Sequence, residues 1–370
     1  MDYTMECMEP LSLSIISGLI GIIGFGVTHQ EEISIAQGVA TLIDRTADEP
    51  HLLFVGDIML DRLVSKRAKE KGDQSLFRNV EEYFRDSAVV GNLEGSISGQ
   101  PSVAELNYSD LRFTFDTRFA PYLNSLGFTA LSLANNHSDD FGATGLASTR
   151  KALLSANMSH FGSPANSRHL STQVSIAGRT VCLIGYHAVY NATSGPIVRN
   201  LEALEGNCDR RIVYAHWGDE YVPHASEKQK KWAHEFVDAG ADAVIGAHPH
   251  VVQEMEIYRG RPIFYSLGNF MFDQDFSEET RRGLMVRLTP GESRDVYTLI
   301  PTYLTDAAVS PAPLIHAKKV LDRLTNNLHL ENGTASRLVA KRTLIVPRSS
   351  LPGYHRSIVV MKLNHGNVWR

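Results

Sequence analysis

The chain has 370 residues, of which 43% are hydrophobic, and this length suffices for one large domain or two moderate ones. Its 36 basic and 41 acidic residues give a net charge of -5, and without a basic run we do not expect nucleic acid as a partner. The three cysteines, Cys7, Cys182 and Cys208, lack C-x-x-C spacing and leave one unpaired, so they favour neither a structural zinc site nor a disulfide framework. Cys182 lies in an apolar run and is interpreted as a core residue.

The N-terminus contains an uncharged hydrophobic segment at residues 11–27, LSLSIISGLIGIIGFGV. At about 1.5 Å per residue this helix would reach about 25 Å, slightly less than a hydrocarbon core of about 30 Å. Acidic residues precede the segment and the first basic residue is Arg45, so charge assigns no orientation. We interpret residues 1–30 as a membrane anchor or signal segment, with a buried helix as the alternative, and residues 31–50 as a linker. The protein is therefore expected to be membrane-anchored or exported, with its folded domain outside the cytoplasm.

Short apolar runs alternate with amphipathic stretches throughout residues 51–290. Runs typical of buried strands are HLLFVGD, SAVVGNLEG, FTALSLANNH, TVCLIGYH, RRIVYAHWGD and ADAVIGAHPH. ATGLASTRKALLSAN and SEKQKKWAHEFVDAG predict helices, the second with Trp232 and Phe236 on one face and Gly240 as its stop. This alternation predicts an α/β architecture. Residues 291–370 are interpreted as a C-terminal extension packed on the same domain, with hairpin strands and one helix.

Polar residues stand at the ends of several of these apolar runs. They are acids, amides and imidazoles: Asp57, Asn92, Glu94, Asn135, Asn136, His137, His216, His248 and His250. Because ligands bind at the carboxyl ends of strands in α/β sheets, we expect these side chains to surround one crevice. Mixed oxygen and nitrogen ligands suit divalent manganese, iron, zinc or magnesium.

Each of these residues also has a structural interpretation. Asp57 could cap a following helix, the two adjacent asparagines could form a turn, and Glu94 could be a solvated loop carboxylate. Trp217, Asp219 and Glu220, which follow His216, are interpreted as site walls or surface. His224 and His234 are assigned to a helix start and a helix face.

The His-Pro-His sequence at residues 248–250 holds two imidazoles at a short spacing. Pro249 fixes its own φ and favours an extended backbone at His248. Two neutral imidazoles held in this way are a plausible half of a metal site, and the alternative is a strand end with two solvated histidines.

Six stretches in this order resemble the motif series of the CapA family of poly-gamma-glutamate capsule biosynthesis proteins, which is related to calcineurin-like metallophosphoesterases. They are VGDIMLDR, GNLEG, LANNHSDDFG, AHWGDEY, GAHPHVVQ and PIFYSLGNFMFDQ. The resemblance covers roughly residues 51–290. It implies a four-layer α/β/β/α sandwich of the metallophosphoesterase type, with one or two divalent metal ions at its strand ends. It also implies a role in making, exporting or anchoring an anionic envelope polymer, with membrane synthase subunits as candidate partners.

The resemblance also implies a role for each matching residue. The metal ligands it implies are Asp57, Asn136, His216, His248 and His250, and His137 would protonate a leaving group or hold a phosphate. His250 would share an ion with Asp57, and His248 would share the other ion with Asn136 and His216.

Two residues depart from the phosphoesterase pattern. Met59 stands where the pattern has a histidine, and Asn92 stands where it has a metal-bridging aspartate. A thioether is a poor ligand for a hard divalent ion, and an amide does not bridge two cations as a carboxylate does. Asn92 and Glu94 remain candidate ligands, with Glu94 able to take over the bridging, so that either one ion or two ions could bind.

Two functions fit these residues. The first is a metal-dependent hydrolase or transferase that acts on a phosphoester or on the ends of a polyglutamate chain, with His137 as the acid and Arg62 and Arg112 as candidate anion clamps. The second is a non-catalytic membrane component that binds the polymer or the synthase complex through the same crevice.

Overall fold

The computed structural model describes residues 49–104, 109–190, 192–292 and 294–325, with the backbone of residues 343–347 and 358–359. The hydrophobic segment and the linker predicted before residue 49 lie outside the described residues. Within the described ranges, no helix has the length and apolar character needed to cross a membrane.

Strands and helices alternate along most of the described chain. The strands are β1 (His51–Ile58), β2 (Ser87–Leu93), β3 (Phe128–Ser132), β4 (Ser159–Phe161), β5 (Ser171–Ile176), β6 (Arg179–His187), β7 (Arg210–His216), β8 (Ala243–Ala247), β9 (Met255–Tyr258), β10 (Arg261–Phe264), β11 (Asn269–Met271), β12 (Arg282–Pro290), β13 (Arg294–Thr305), β14 (Ala308–Pro311), β15 (Thr343–Pro347) and β16 (Ile358–Val359). The helices are α1 (Arg62–Lys71), α2 (Phe119–Ser125), α3 (Gly142–Ser155), α4 (Gly195–Ala203), α5 (Glu227–Asp238), α6 (Glu278–Arg281) and α7 (Leu314–Thr325).

The strands form two sheets. The first has the order β4-β3-β2-β1-β12-β13-β15-β16, with β11 beside β1 and β14 beside β13. In this sheet β1 to β4 are parallel neighbours, whereas β12 and β13 run antiparallel. The second sheet has the order β5-β6-β7-β8-β10-β9, and its strands from β6 to β10 along this order are parallel. The parallel strands of each sheet therefore end at one edge.

Three apolar cores separate four layers. Alternate residues of β1 point to opposite faces of the first sheet, so that Leu53 and Val55 pack in an outer core while Leu52 and Phe54 pack between the sheets. The outer core also contains buried residues of α1, α2 and α3, and a third core joins the second sheet to α4 and α5. The predicted four-layer α/β/β/α sandwich is confirmed.

Local sequence explains how α5 begins and ends. Ser226 and Gln229 form a capping box, in which each side chain bonds the backbone N–H of the other residue. Trp232 and Phe236 are buried against the second sheet, as the helical spacing predicts. Gly240, with φ of +98°, lies just beyond the helix end.

A glycine in β1 allows the close packing that positions the following aspartate. A Cβ atom on Gly56 would lie 1.9 Å from the carbonyl oxygen of Gly268, so no other residue fits there without moving the backbone. The same carbonyl accepts a hydrogen bond from the backbone N–H of Asp57 at 3.1 Å. This contact fixes the carboxyl end of β1.

Two of the cysteines do form a disulfide, which the sequence did not favour, whereas Cys182 is buried in the core as expected. Cys182, in β6, forms a disulfide with Cys208, and their Cα atoms lie 5.8 Å apart. The two residues are 26 positions apart, so no short spacing motif signals the bond. They meet because β6 and β7 are parallel neighbours and Cys208 lies two residues before the start of β7.

Candidate metal centre

The strand ends of both sheets bring the predicted ligands together. Asp57 and Asn92 are register partners in β1 and β2, and both side chains are fully buried. His216 is the last residue of β7, and His248 directly follows β8. The backbone N–H of His248 donates a hydrogen bond to Asp57 Oδ2 at 3.1 Å, which joins the two sheets at this edge. The expected convergence is therefore observed, whereas the roles of these residues as ligands remain predictions.

The amide of Asn92 lies at the middle of the cluster. Its Nδ2 donates to Asp57 Oδ1 at 2.8 Å and to Glu94 Oε2 at 3.3 Å, and lies 3.2 Å from His216 Nδ1. Its Oδ1 accepts a hydrogen bond from Asn135 Nδ2 at 2.9 Å. An N–H₂ donor thus faces two carboxylates at the position where the phosphoesterase pattern has a bridging carboxylate.

The imidazoles divide into two groups by their contacts. His250 Nδ1 lies 3.3 Å from Asp57 Oδ2. His216 Nε2 lies 2.8 Å from Asn136 Oδ1, and its ring centroid is 4.6 Å from that of His248. These contacts agree with the grouping that the resemblance implies, but His216 Nδ1 also lies 3.8 Å from Asp57 Oδ1, so the two groups are not fully separate.

Two ligand-type atoms of this cluster are buried and have no hydrogen-bond partner among the described residues. They are Glu94 Oε1 and His248 Nδ1, on side chains whose residues are 0% and 3% exposed. Buried polar atoms are normally paired, so each such atom requires an explanation. A divalent cation would satisfy both atoms, and carboxylate and imidazole donors suit such an ion.

Two sets of three side chains have ligand atoms within 4.8 Å of one another. They are Asp57, Glu94 and His216, and Glu220, His248 and His250. The donor chemistry of each set fits one divalent cation.

The electrostatics of the cluster also favour a cation. Burial and the Asp57 carboxylate raise the pKa of Glu94 well above its usual value. Burial opposes ionisation of Asp57, but the hydrogen bond and charge of His250 hold its pKa below the usual range. Burial, followed by the neighbouring histidines, lowers the pKa of His248 to about 3 and that of His216 well below its usual value. These two imidazoles are therefore neutral, which is the form that binds metal.

The backbone of the His-Pro-His segment differs from the expectation. His248 has φ of +95° and His250 has φ of +57°, so the predicted extended conformation of His248 was wrong. Positive φ is unfavourable for residues other than glycine and persists where surrounding contacts enforce it. Here the hydrogen bond from the N–H of His248 to Asp57 contributes to that enforcement. Backbone strain of this kind clusters at functional sites.

His137 is oriented by a carboxylate that the sequence interpretation missed. Its Nδ1 lies 3.0 Å from Asp140 Oδ2, and the side chains are 13% and 11% exposed. The same carboxylate oxygen accepts the backbone N–H of Phe113 at 2.7 Å, and the Phe113 ring packs 4.5 Å from the imidazole. Because Asp140 accepts from Nδ1, Nε2 is left for proton exchange. The sequence signal for this contact was the three-residue separation of His137 and Asp140 within NHSDD.

The two predicted anion clamps already have carboxylate partners. Arg62 is buried and binds Asp273 through two nitrogens, with its Nε donating at 3.1 Å. Arg112 is exposed and its Nε donates to Asp110 at 2.9 Å. Both guanidinium charges are thus partly neutralised, and their predicted role in binding substrate remains a prediction.

Met59 and Asn135 have structural contacts that explain their positions. The buried Met59 Sδ accepts the backbone N–H of Asp61 at 3.1 Å, at the start of α1. Asn135 donates to Asn92, and its Oδ1 accepts the backbone N–H of His137 at 3.0 Å. Asn135 is therefore a positioning residue that links the middle of the cluster to the His137 loop.

Glu220 is the residue whose position adds most to the sequence interpretation. It was interpreted as wall or surface, and its side chain is indeed exposed. Its carboxylate nevertheless groups with the ring nitrogens of His248 and His250. Its place four residues after His216 was a weak signal, because acidic residues are common on surfaces.

Comparisons with known proteins agree with the motif series. The family model described as bacterial capsule synthesis protein PGA_cap matches residues 51–274, more than half of the chain. The capsule biosynthesis protein CapA of Bacillus anthracis is 29% identical over 334 residues, which cover 84% of this chain and 79% of that protein. The PGA biosynthesis protein CapA of Bacillus subtilis (strain 168) is 29% identical over 296 residues, with 74% and 77% coverage.

Solved structures show distant similarity. The NAD nucleotidase of Haemophilus influenzae aligns with a TM-score of 0.40 and 15% identity, covering 78% of this chain and 58% of that chain. The family match extends over residues 51–274, which include the candidate metal centre. The chain belongs to the PGA_cap family of bacterial capsule synthesis proteins.

Proposed function

We propose that this chain is a metal-dependent hydrolase or transferase of capsule-polymer synthesis, which acts on an anionic polymer such as poly-gamma-glutamate or on a phosphoester. The observation that carries this proposal is the pair of buried, unpartnered ligand atoms, Glu94 Oε1 and His248 Nδ1, within one cluster of carboxylates and imidazoles. The relatives named for capsule and PGA biosynthesis support a polymer-related role.

The side chains of the cluster would hold one or two divalent ions. By proximity one set of ligands is Asp57, Glu94 and His216, with Asn136 beside the histidine, and the other is Glu220, His248 and His250. The resemblance instead implies that His250 shares an ion with Asp57 and that His248 shares the other ion with His216. When bound, a divalent cation supplies Lewis-acid activation of a phosphoryl or carbonyl oxygen and of water. Manganese, iron, zinc and magnesium all accept such ligands.

His137 would move a proton during the reaction. Nε2 of the protonated ring gives its proton to the leaving group, and Asp140, beside Nδ1, orients the ring and stabilises its protonated form before the transfer. Phe113 packs against the imidazole and excludes water from one side of it. Asn135 holds the backbone N–H of His137 and thereby sets the position of the loop.

We also propose that the folded domain works outside the cytoplasm, anchored or exported through residues 11–27. The uncharged segment supports this location, and so does the Cys182–Cys208 disulfide, because such bonds persist in oxidising compartments. Cell fractionation tests the proposal, and full-length protein found wholly in the cytosol would contradict it.

The catalytic proposal is tested with the full chain on γ-linked glutamate oligomers and on a phosphoester. Activity should disappear on chelation and return with a divalent metal. His137→Asn should lower kcat by about 10²-fold to 10⁴-fold at unchanged metal content, because it removes the proton donor and no proposed ligand. The matched control is His234→Asn, a histidine on α5 that is bonded to Glu256. Full metal content without activity on either substrate class would favour a non-catalytic component that binds polymer or synthase subunits.

A further inference from the structure

Two exposed aromatic side chains lie beside the candidate metal centre. Tyr221 follows the proposed ligand Glu220, and its ring centroid is 6.0 Å from that of His250. Phe276 packs edge-on against Tyr221, with the ring centroids 5.2 Å apart. The two aromatic residues are 43% and 64% exposed. Adjoining exposed aromatic rings are more informative than a single exposed apolar residue, and we call this pair the aromatic rim.

The backbone of Tyr221 is tied to the His-Pro-His segment. Its N–H donates a hydrogen bond to the carbonyl oxygen of Pro249 at 2.8 Å, which holds Tyr221 beside His250. The φ of Tyr221 is +64°, in the left-handed region that is unfavourable for residues other than glycine. Surrounding contacts must enforce such a conformation, and residues of this kind cluster at active sites and ligand-binding sites.

Two side-chain amides hold the Tyr221 ring at its hydroxyl end. Gln274 Nε2 donates to the Tyr221 hydroxyl oxygen at 3.1 Å, and Gln274 Oε1 accepts from Asn269 Nδ2 at 3.0 Å. Asn269 Oδ1 in turn lies 3.0 Å from His250 Nδ1. The ring is therefore fixed at both ends, and an exposed side chain held in this way loses little conformational entropy when it contacts a ligand.

The charges around the aromatic rim select the group that it can bind. Asp219 and Glu220 precede Tyr221 and are exposed. Asp275 precedes Phe276 and is exposed as well. An anionic group placed on the rings would meet their negative faces as well as these carboxylates. An uncharged hydrocarbon group avoids this repulsion and removes apolar surface from water.

The position of the aromatic rim determines which part of a substrate it contacts. Because the Tyr221 ring packs against His250, a group bound at the metal centre has the rim directly beside it. Val222, which is 41% exposed, adds apolar surface in the same loop. The metal centre would thus take the polar reacting group, while the rim contacts the carbon atoms attached to that group.

We propose that Tyr221 and Phe276 form a substrate subsite for an uncharged hydrocarbon group, alkyl or aryl, attached to the phosphoryl or carbonyl group that reacts at the metal centre. The inference rests on the proposed function and narrows its substrate class to molecules whose reacting group carries such a substituent. On an anionic polymer the substituent belongs to the reacting end, because the charged repeats would be repelled from the rim. Both residues determine specificity and neither is a metal ligand.

The test uses two pairs of ligands whose members have equal charge and differ in one apolar group. Benzylphosphonate and methylphosphonate form the phosphoryl pair, and γ-glutamyl benzylamide and γ-glutamyl methylamide form the carbonyl pair. Calorimetry measures their affinities for the full-length, metal-containing protein. The benzyl member of at least one pair should bind about tenfold more tightly, as expected for contact of one aromatic ring with two others. The pair that shows the preference identifies the reacting group.

Substitutions in the aromatic rim should remove this preference. Phe276→Ala and Tyr221→Leu should reduce it to less than about threefold, whereas Tyr221→Phe, which keeps the ring, should retain most of it. Phe276 is largely exposed, so its truncation should leave the fold intact. Leu154→Ala removes a side chain of α3 that is 60% exposed, and this control should keep the full preference.

Equal affinities within both pairs, no binding of any of the four ligands, or a preference that persists in Phe276→Ala and Tyr221→Leu would overturn the subsite. A changed oligomeric state of Phe276→Ala beside equal affinities would assign the rings to a contact between protein chains. Absence of metal-dependent turnover beside an intact benzyl preference would instead refute the proposed catalysis and leave the subsite standing.

Discussion

The candidate metal centre has two halves, one from each sheet, and they differ in how completely their polar groups are bonded. In the first-sheet half, the amides of Asn92 and Asn135 are bonded through both nitrogen and oxygen, and the Met59 sulfur accepts a backbone N–H. In the second-sheet half, His248 has a buried nitrogen without a partner among the described residues and a backbone with positive φ.

This difference indicates which half of the cluster has side-chain atoms available to bind a cation. Both departures from the phosphoesterase pattern, Met59 and Asn92, lie in the first-sheet half, where hydrogen bonds take the place of ligand contacts. Glu94 Oε1 is a buried atom of the first-sheet half with no hydrogen-bond partner among the described residues, and it lies 3.6 Å from His250 Nε2. The hydrogen bonds of the first-sheet half therefore hold the cluster in place. The second-sheet half supplies most of the imidazole nitrogens that are available to bind a cation.

Asn92→Asp should break this asymmetry most strongly. The new carboxylate would stand beside Asp57 and Glu94, so metal affinity should rise by about tenfold. Without metal, a third buried carboxylate should lower the free energy of unfolding by about 3 kcal/mol. Metal titration and urea unfolding with and without chelator measure the two effects. A variant with unchanged metal affinity would show that the amide does not mark a weakened metal position.

Removal of the disulfide tests how the second-sheet half is held. Cys182→Ala combined with Cys208→Ala should lower the free energy of unfolding by about 2 to 4 kcal/mol, because the bond restricts the unfolded chain between β6 and β7. Cys7→Ala is the control. Thiol titration of the unfolded, unreduced wild type should detect one free thiol, and three would contradict the bond.

The two histidines of the His-Pro-His segment should contribute unequally. In the grouping that the resemblance implies, His250 shares an ion with Asp57, and that ion lacks the histidine that Met59 replaces. His248 shares the better supplied ion with His216, against which it packs. His248→Ala should therefore lower metal affinity more than His250→Ala, by on the order of tenfold. Titrations at fixed pH with His234→Ala as control decide the order. A larger loss of metal affinity in His250→Ala would indicate that Glu94 replaces the missing ligand of the ion beside Asp57.

Met59→Leu should have the smallest effect. The sulfur bonds the backbone N–H of Asp61 inside the core, so an apolar side chain of similar volume should cost less than about 1.5 kcal/mol of unfolding free energy. Metal content should not change. A clear loss of metal would show that the thioether faces an ion in the native protein.

Sequence patterns predicted the α/β alternation and most of the cluster, because both follow from periodicity and from polar residues at strand ends, whereas the four layers were implied by the resemblance to the CapA family. Asp57, His216 and His248 could be placed at one edge since parallel strands share a direction. The sequence did not predict the Cys182–Cys208 bond or the positive φ of His248, because each depends on contacts between segments distant in sequence.

Tyr221 shows a further limit of sequence patterns. It directly follows Glu220, but its place beside His250 and Phe276 depends on contacts between segments that no spacing rule connects. Asp140 is close in sequence to His137, and Glu220 is close in sequence to His216. Nothing in the sequence, however, distinguishes these two acids from ordinary surface carboxylates.

The most direct test of the account is the metal content of the full-length protein, purified without chelator, beside that of Asp57→Asn. Asp57 is fully buried and touches both sheets of the centre, and asparagine preserves its shape. We expect at least one equivalent of a divalent transition metal or magnesium per wild-type chain, and a marked loss in the folded variant. Negligible and equal metal in two folded proteins would contradict a metal centre.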